Sequence, residues 1–340
     1  MAVLTLKNDE FKAFPEILRT YANYLASIKG NSEKTICEYL LDLRTFFRYM
    51  KSRKDGVPDK AEFEKISISD ITLDDVKAVK YDDIIEYLMF ANFQRENGAR
   101  TRMRKLSALR SLYGYLCGKK HLIDINPTQD VDAPKPAKKL PKYMTYEESL
   151  RFLETIRNDV DSPTNTRDFA IAVLFLNTGM RLSELVGLNL HSFSSDLSVV
   201  KVLGKGNKER IIYLNDFAKG AVGEYLQLRL DPRYIKTSDK AFFLSSREQR
   251  ISAKTVQWMV HKYLEASGLG HKGLSVHKLR HTAATLMYQS GQVDIRILKE
   301  VLGHEQLNTT QIYTHVVNRN IEQAVESNPL ADIKMKKPLV

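Results

Sequence analysis

The sequence predicts a mainly α protein in two parts: an N-terminal four-helix domain, then a mixed α/β domain that is mostly helical with a small antiparallel β-sheet. Three observations predict it. Apolar residues recur at three- and four-residue steps through the first third of the chain, and a proline- and lysine-rich stretch interrupts that pattern at Ala133 to Lys142. Beyond it, two short runs of branched residues flank a glycine-containing loop, with helical spacing on either side.

The elements follow in order. Phe11 to Ile28 supplies one helix, and Ile36, Tyr39, Leu40, Leu43, Phe46, Phe47 and Met50 mark a strongly amphipathic second, opened by Asn31 or Ser32 as a cap. A polar, charged connection around Ser52 to Lys60 leads to a helical run near Tyr81 to Asn97. The fourth helix carries Met103, Leu106, Leu109, Leu112, Tyr113 and Leu116 on its apolar stripe. Four such helices close a small core. Ala133 to Lys142 then combines three prolines with four lysines and no acid, which cannot continue a helix and reads as an interdomain linker. Arg167 to Leu176 is an apolar helical run that ends near Gly179. Ser198 to Leu203 and Arg210 to Leu214 read as a β-hairpin, and the patterns around 252–267, 276–289 and 293–302 are helical. These signals divide the chain into a helical domain over 1–132, a linker over 133–142, a second domain over 143–327 and a tail over 328–340.

At 340 residues the chain can bury two cores, and its 43% hydrophobic content is ordinary for a globular protein. Lysine and arginine (52) exceed aspartate and glutamate (41), a net charge of +11 that points to a polyanionic partner. Arg100, Arg102, Arg104 and Lys105 open the fourth helix away from its stripe, and Lys135, Lys138 and Lys139 sit in the linker. They are the candidate phosphate contacts, with a solvated basic surface as the alternative. Cys37 and Cys117, the only cysteines, fall among apolar residues of helical patterns, which spells neither a disulfide framework nor a zinc site and fits a reducing cytoplasm. No segment approaches the roughly 18 uninterrupted apolar residues of a membrane span, and the N-terminus has no signal-peptide core, so no membrane association is expected.

The densest chemistry lies late in the chain. Ser275-Val276-His277-Lys278-Leu279-Arg280-His281 is followed by Leu302-Gly303-His304 and by Tyr313-Thr314-His315, in what read as three short helices. His277 and Arg280 are three apart and share a helix face, beside an apolar stripe of Val276, Leu279, Ala283 and Leu286. A second cationic cluster, Thr178-Gly179-Met180-Arg181-Leu182-Ser183-Glu184-Leu185, comes earlier, and the Gly204-Lys205-Gly206-Asn207-Lys208 loop joins the two strands.

This ordered set resembles the tyrosine recombinase and phage integrase family, and is most like its Xer branch. The likeness covers roughly residues 140 to 320 with specific motifs, sharpest at Gly204 to Arg210 and at Leu302 to His304, and the N-terminal part by pattern only. It implies Arg181 and Arg280 as a phosphate clamp, Lys205 as the hairpin lysine, His277 and His304 as the two histidines, and Tyr313 as nucleophile. It also implies DNA cleavage through a covalent 3′-phosphotyrosyl link and four protomers acting on two duplexes.

The residue chemistry supports these roles. Transfer of a phosphodiester to a protein hydroxyl needs cations for the extra negative charge and an acid for the leaving oxygen. Paired guanidiniums can hold that charge without a metal, because each binds two oxygens in a fixed geometry. Lys205, between glycines at the hairpin tip, can reach toward the scissile bond as general acid, with Lys208 beside it as a DNA contact. The loop lacks the spacing of a Walker phosphate loop, so no nucleotide is expected. His277 and His281 stand four apart but lack the glutamate of a metalloprotease helix, so no metal and no other cofactor is expected. A phenol with a pKa of about 10 needs a cationic field or a base before it can attack. Tyr288 and Tyr213 are weaker competitors for Tyr313, the first reading as core and the second as strand. Asn308 is a candidate cap before Tyr313, and Glu184, three residues after Arg181, can orient a guanidinium or form a surface pair.

The expected protein is therefore a site-specific recombinase acting on double-stranded DNA as a homo-tetramer in the cytoplasm, at the nucleoid. It serves chromosome dimer resolution or a mobile element, and a paralogous recombinase or an accessory factor stays open as a further partner. A helix over Asn318 to Ser327 docks into a neighbour or packs on its own domain. A type IB topoisomerase-like enzyme and a non-catalytic architectural DNA-binding protein of the same fold are the alternatives.

Overall fold

The structure is a computed structural model and describes residues 8–53, 56–135, 142–204, 209–231, 240–291 and 293–303. The chain splits into two compact units, Met1–Lys138 and Lys139–Val340.

The first unit is helical: α1 (Asn8–Lys12), α2 (Glu16–Ser27), α3 (Glu33–Ser52), α4 (Lys60–Lys65), α5 (Leu73–Lys77), α6 (Tyr81–Phe93) and α7 (Ala99–Gly118). The expected stripes face one core, with Leu18, Tyr21, Leu40, Phe46, Tyr87, Leu109 and Tyr113 fully buried. Ser32 is the cap of α3, its Oγ accepting from the Thr35 amide at 3.3 Å. Two details differ from the sequence reading. The helix expected over Phe11 to Ile28 is broken in two, because Pro15 has no N–H to donate and instead forms the N-cap of α2. The single turns α4 and α5 were not anticipated; they are too short to show a period and are marked only by their caps, Asp59 and the Thr72–Asp75 capping box.

A third difference concerns Lys105. Its side chain is 8% exposed and its ammonium lies 3.1 Å from Asp42 of α3, which also pairs with Arg104 at 2.6 Å. Burial pushes the Asp42 carboxyl up and the Lys105 ammonium down, so each depends on the other to stay charged. Lys105 is thus an internal ion-pair partner rather than one of the outward cations expected at the start of α7.

The second unit has α8 (Tyr146–Arg157), α9 (Asn165–Thr178), α10 (Leu182–Val186), β1 (Val199–Leu203), β2 (Glu209–Tyr213), α11 (Asp216–Arg229), α12 (Ala253–Ala266), α13 (Val276–Gln289) and α14 (Ile295–Leu302). Helix α9 is buried nearly all round and packs against α8, α11 and α13, which is why its sequence reads as a continuous apolar run. The strands pair antiparallel from Val199 opposite Tyr213 to Leu203 opposite Glu209. Val200, Val202 and Ile212 point inward, and Tyr213 points out. Helices α8, α10 and α11 had not been singled out in the sequence. Among the described residues, no helix is long and apolar enough to cross a membrane.

Candidate active site

The site forms where three segments meet: the turn between α9 and α10, the start of α13, and the last turn of α14. Gly179 ends α9 in the left-handed region at φ 61°, and a Cβ there would lie 2.8 Å from the Leu302 side chain. Only glycine lets the turn form and α14 come this close. Two residues later Arg181 sits at the N-cap of α10, extended and half-buried.

Glu184 organises the cluster. Its carboxylate accepts from the Arg181 amide at 2.7 Å and from Arg181 Nη1 at 2.9 Å. It also accepts from Arg210 Nη2 at 2.9 Å and Nε at 3.4 Å. With its side chain 1% exposed, Glu184 is a buried anion shared by two guanidiniums and not a surface pair. Burial pushes the carboxyl up, but the bonds from Arg210 and Arg181 outweigh it and hold the group below the usual carboxylate range.

Three arginines cap the end of α14. Arg210 Nη1 donates to the Val301 carbonyl, Arg280 Nη2 to Leu302 O at 2.5 Å, and Arg181 Nη2 to Gly303 O at 2.6 Å. These carbonyls carry the negative end of the helix dipole, so the cations satisfy groups that have no partner within the helix. Arg280, 3% exposed, also donates to Gly179 O at 2.6 Å and so ties α13 to the turn after α9.

His277 is exposed one turn before Arg280, its ring edge-on to His281 with centroids 4.8 Å apart. Partial burial, then the charges of Arg280, Lys278 and Arg181, hold it below the ordinary imidazole value, which favours the neutral ring. A cavity of about 660 Å³ opens in front of Arg181, His277 and Arg280, with Ser183, His261 and Ser275 also on its wall.

Of the residues expected from sequence, Arg181, Glu184, His277 and Arg280 come together here. Lys205, His304 and Tyr313 lie outside the described residues, as do Lys138, Lys139, Lys208, Asn308 and the expected helix over 318–327. The described ends of the hairpin loop are Gly204 and Glu209, and His304 directly follows Gly303 in the chain. Tyr288 packs against the small cluster of Ala284, Leu298 and Leu302, as expected of a core tyrosine. Arg100 and Lys135 are exposed, and Arg102 and Arg104 are half-buried. Arg210 was missed. Strand alternation could have found it, since it shares the inward face with Ile212, where a charge needs a partner.

Removing the shared anion has a structural consequence. Glu184→Ala leaves Arg181 and Arg210 facing each other uncompensated and is expected to cost about 3 kcal/mol, read as a lower urea midpoint, with Glu184→Gln losing less. Equal midpoints for all three proteins would show that the carboxylate does not hold this region together.

Residues 142–319 match the Phage integrase family, and residues 18–120 match its N-terminal SAM-like domain. The chain is 46% identical over 318 residues to the tyrosine recombinase XerC of Caldanaerobacter subterraneus subsp. tengcongensis, covering 94% of this chain and 88% of that one. It is 34% identical to the XerC of Thermodesulfovibrio yellowstonii, covering 92% of this chain and 96% of the relative. In fold it resembles the XerH site-specific recombinase bound to its palindromic difH substrate, with a TM-score of 0.66 at 21% identity over 93% of this chain and 94% of that one. A lambda integrase tetramer bound to a Holliday junction gives a TM-score of 0.61 at 19% identity over 87% of this chain and 76% of that one. With its arginine pair, histidine and hairpin arranged on this fold and its motifs matched over both parts, the chain belongs to the phage integrase family and is a site-specific tyrosine recombinase.

Proposed function

We propose that this recombinase cleaves double-stranded DNA with Tyr313 and stores the broken bond as a 3′-phosphotyrosine. The observation that carries the reading is the meeting of Arg181 and Arg280 at the end of α14, beside His277 and one residue before His304. Two forked cations at one point match the two non-bridging oxygens of a phosphodiester.

In this reading the phenol oxygen of Tyr313 attacks phosphorus as the bond to the 5′ oxygen breaks. The phenol proton passes to the neutral imidazole of His277, and Lys205 gives its proton to the departing 5′ oxygen. Arg181, Arg280 and His304 hold the charge that grows on the non-bridging oxygens. Rejoining runs the same steps backward with the 5′-hydroxyl of another strand. Because two duplexes each present two cleavage positions, four protomers are required, and their substrate places them at the nucleoid in the cytoplasm.

A nicked suicide substrate tests this: once the short fragment diffuses away, the covalent complex is trapped and runs as a shifted band on a denaturing gel. Peptide mapping of that band is expected to locate the DNA on Tyr313. No band, or DNA on another residue, would overturn the reading, and sequencing the trapped DNA identifies the target.

The surface cations can be tested separately. Arg100→Ala is expected to lower the slope of log binding constant against log salt concentration by about 1, as for any lost phosphate contact. Lys105→Met is expected to leave that slope unchanged, because its ammonium faces Asp42 inside the first unit. A gel-shift series in increasing salt separates the two.

A further inference from the structure

We propose that Arg210 is a positioning residue for strand cleavage: by gripping Glu184 and the end of α14 together, it sets the aim of Arg181. The inference rests on the reading of Arg181 as a phosphate-binding arginine.

Arg210 lies on β2 opposite Val202, on the inward face of the hairpin, with a side chain 18% exposed. Its guanidinium is committed in two directions. Nε and Nη2 reach the two oxygens of Glu184, and Nη1 donates to the Val301 carbonyl. Glu184 in turn holds Arg181, whose other terminal nitrogen holds Gly303 O two residues along from Val301. Arg210, Glu184, Arg181 and the end of α14 therefore form a closed ring of polar contacts, so none of the four can shift without opening one. Gly303 fits the same picture, since a Cβ there would lie 3.1 Å from Arg210 Cδ and Nε.

The charges give the ring a purpose beyond rigidity. A carboxylate paired with a single guanidinium would largely neutralise Arg181 as a phosphate ligand. Two guanidiniums sharing Glu184 leave one positive charge in excess, and Arg280 adds another beside it. Without Arg210, Glu184 draws Arg181 fully onto itself, away from a phosphate. Arg210 also ties the first residues of β2 to this cluster, close to the base of the loop that carries Lys205 in sequence.

The test compares wild type, Arg210→Ala, Arg210→Lys, Glu184→Gln and the Arg210→Ala/Glu184→Gln double variant in single-turnover trapping on the suicide substrate, with gel-shift affinity measured alongside. Arg210→Ala is expected to slow adduct formation about 100-fold, the size of effect that about 1 Å of misplacement produces, while affinity moves less than about threefold. Arg210→Lys, which keeps the charge but cannot fork across Glu184, is expected to recover part of the rate and covers the case in which the alanine variant unfolds. The double variant is expected to be no slower than the slower single variant, because both changes cut the same path to Arg181. Wild-type rates in Arg210→Ala, a double variant slower by the product of the two single effects, or affinity falling in step with rate would each overturn the inference and make Arg210 a structural tie only. A wild-type protein that forms no adduct would overturn the parent reading and this one with it.

Discussion

Tyr313→Phe is expected to abolish the covalent protein–DNA adduct, a fall of at least about 10⁴-fold, while the protein still shifts duplex DNA with near wild-type affinity. The change removes one oxygen and keeps the ring, so it takes away the proposed attacking group and little else. Single-turnover trapping on a nicked substrate reads the effect directly. The two competitors to Tyr313 that lie among the described residues offer no substitute. Tyr288 packs against Leu298 and Leu302, and Tyr213 stands on the outer face of β2, away from the inward side that carries Arg210. An adduct that persists in Tyr313→Phe would place the attacking group elsewhere and undo the mechanism.

Arg181→Ala is the second large effect: cleavage is expected to fall about 10³-fold with little loss of DNA affinity. One phosphate contact among many contributes little to binding, whereas a fixed donor aimed at charge that grows in the transition state contributes to rate. Arg181→Lys is expected to recover less than about tenfold, since an ammonium cannot both hold Glu184 and present a second donor in the same plane. The substitution also leaves Gly303 O without this donor and Glu184 with Arg210 as its one guanidinium partner, so a modest loss of stability, about 1 kcal/mol, should accompany it. Equal loss of binding and cleavage would mean that Arg181 anchors the duplex and takes no special part in the chemistry.

Much of this protein was legible one residue at a time. The long helices α3, α7 and α13 show their apolar stripes openly, because a helix that buries one face must repeat near every 3.6 residues. The hairpin is equally plain in its branched residues and glycines, and Arg181, His277 and Arg280 stand out by residue type within short motifs. Where a feature was too short to repeat, as in α4 and α5, or turned on one residue, as at Pro15, the pattern was silent or misleading.

The environments of the charges were not legible. Lys105 sits in a run of cations and reads as solvent-facing, yet Asp42, 63 residues earlier, draws it into the core. Arg210 reads as one more basic residue of the hairpin, but its partners are Glu184, 26 residues before it, and Val301, 91 residues after it. Glu184 was as easily a surface pair as a buried anion until both guanidiniums were seen around it.

The amino-acid order alone determined the elements and the chemical inventory, because periodicity, turn residues and functional groups are local properties of the chain. Which charges are buried, which are shared and where they point was decided only by the fold, because a charge takes its meaning from partners and solvent that distant segments supply.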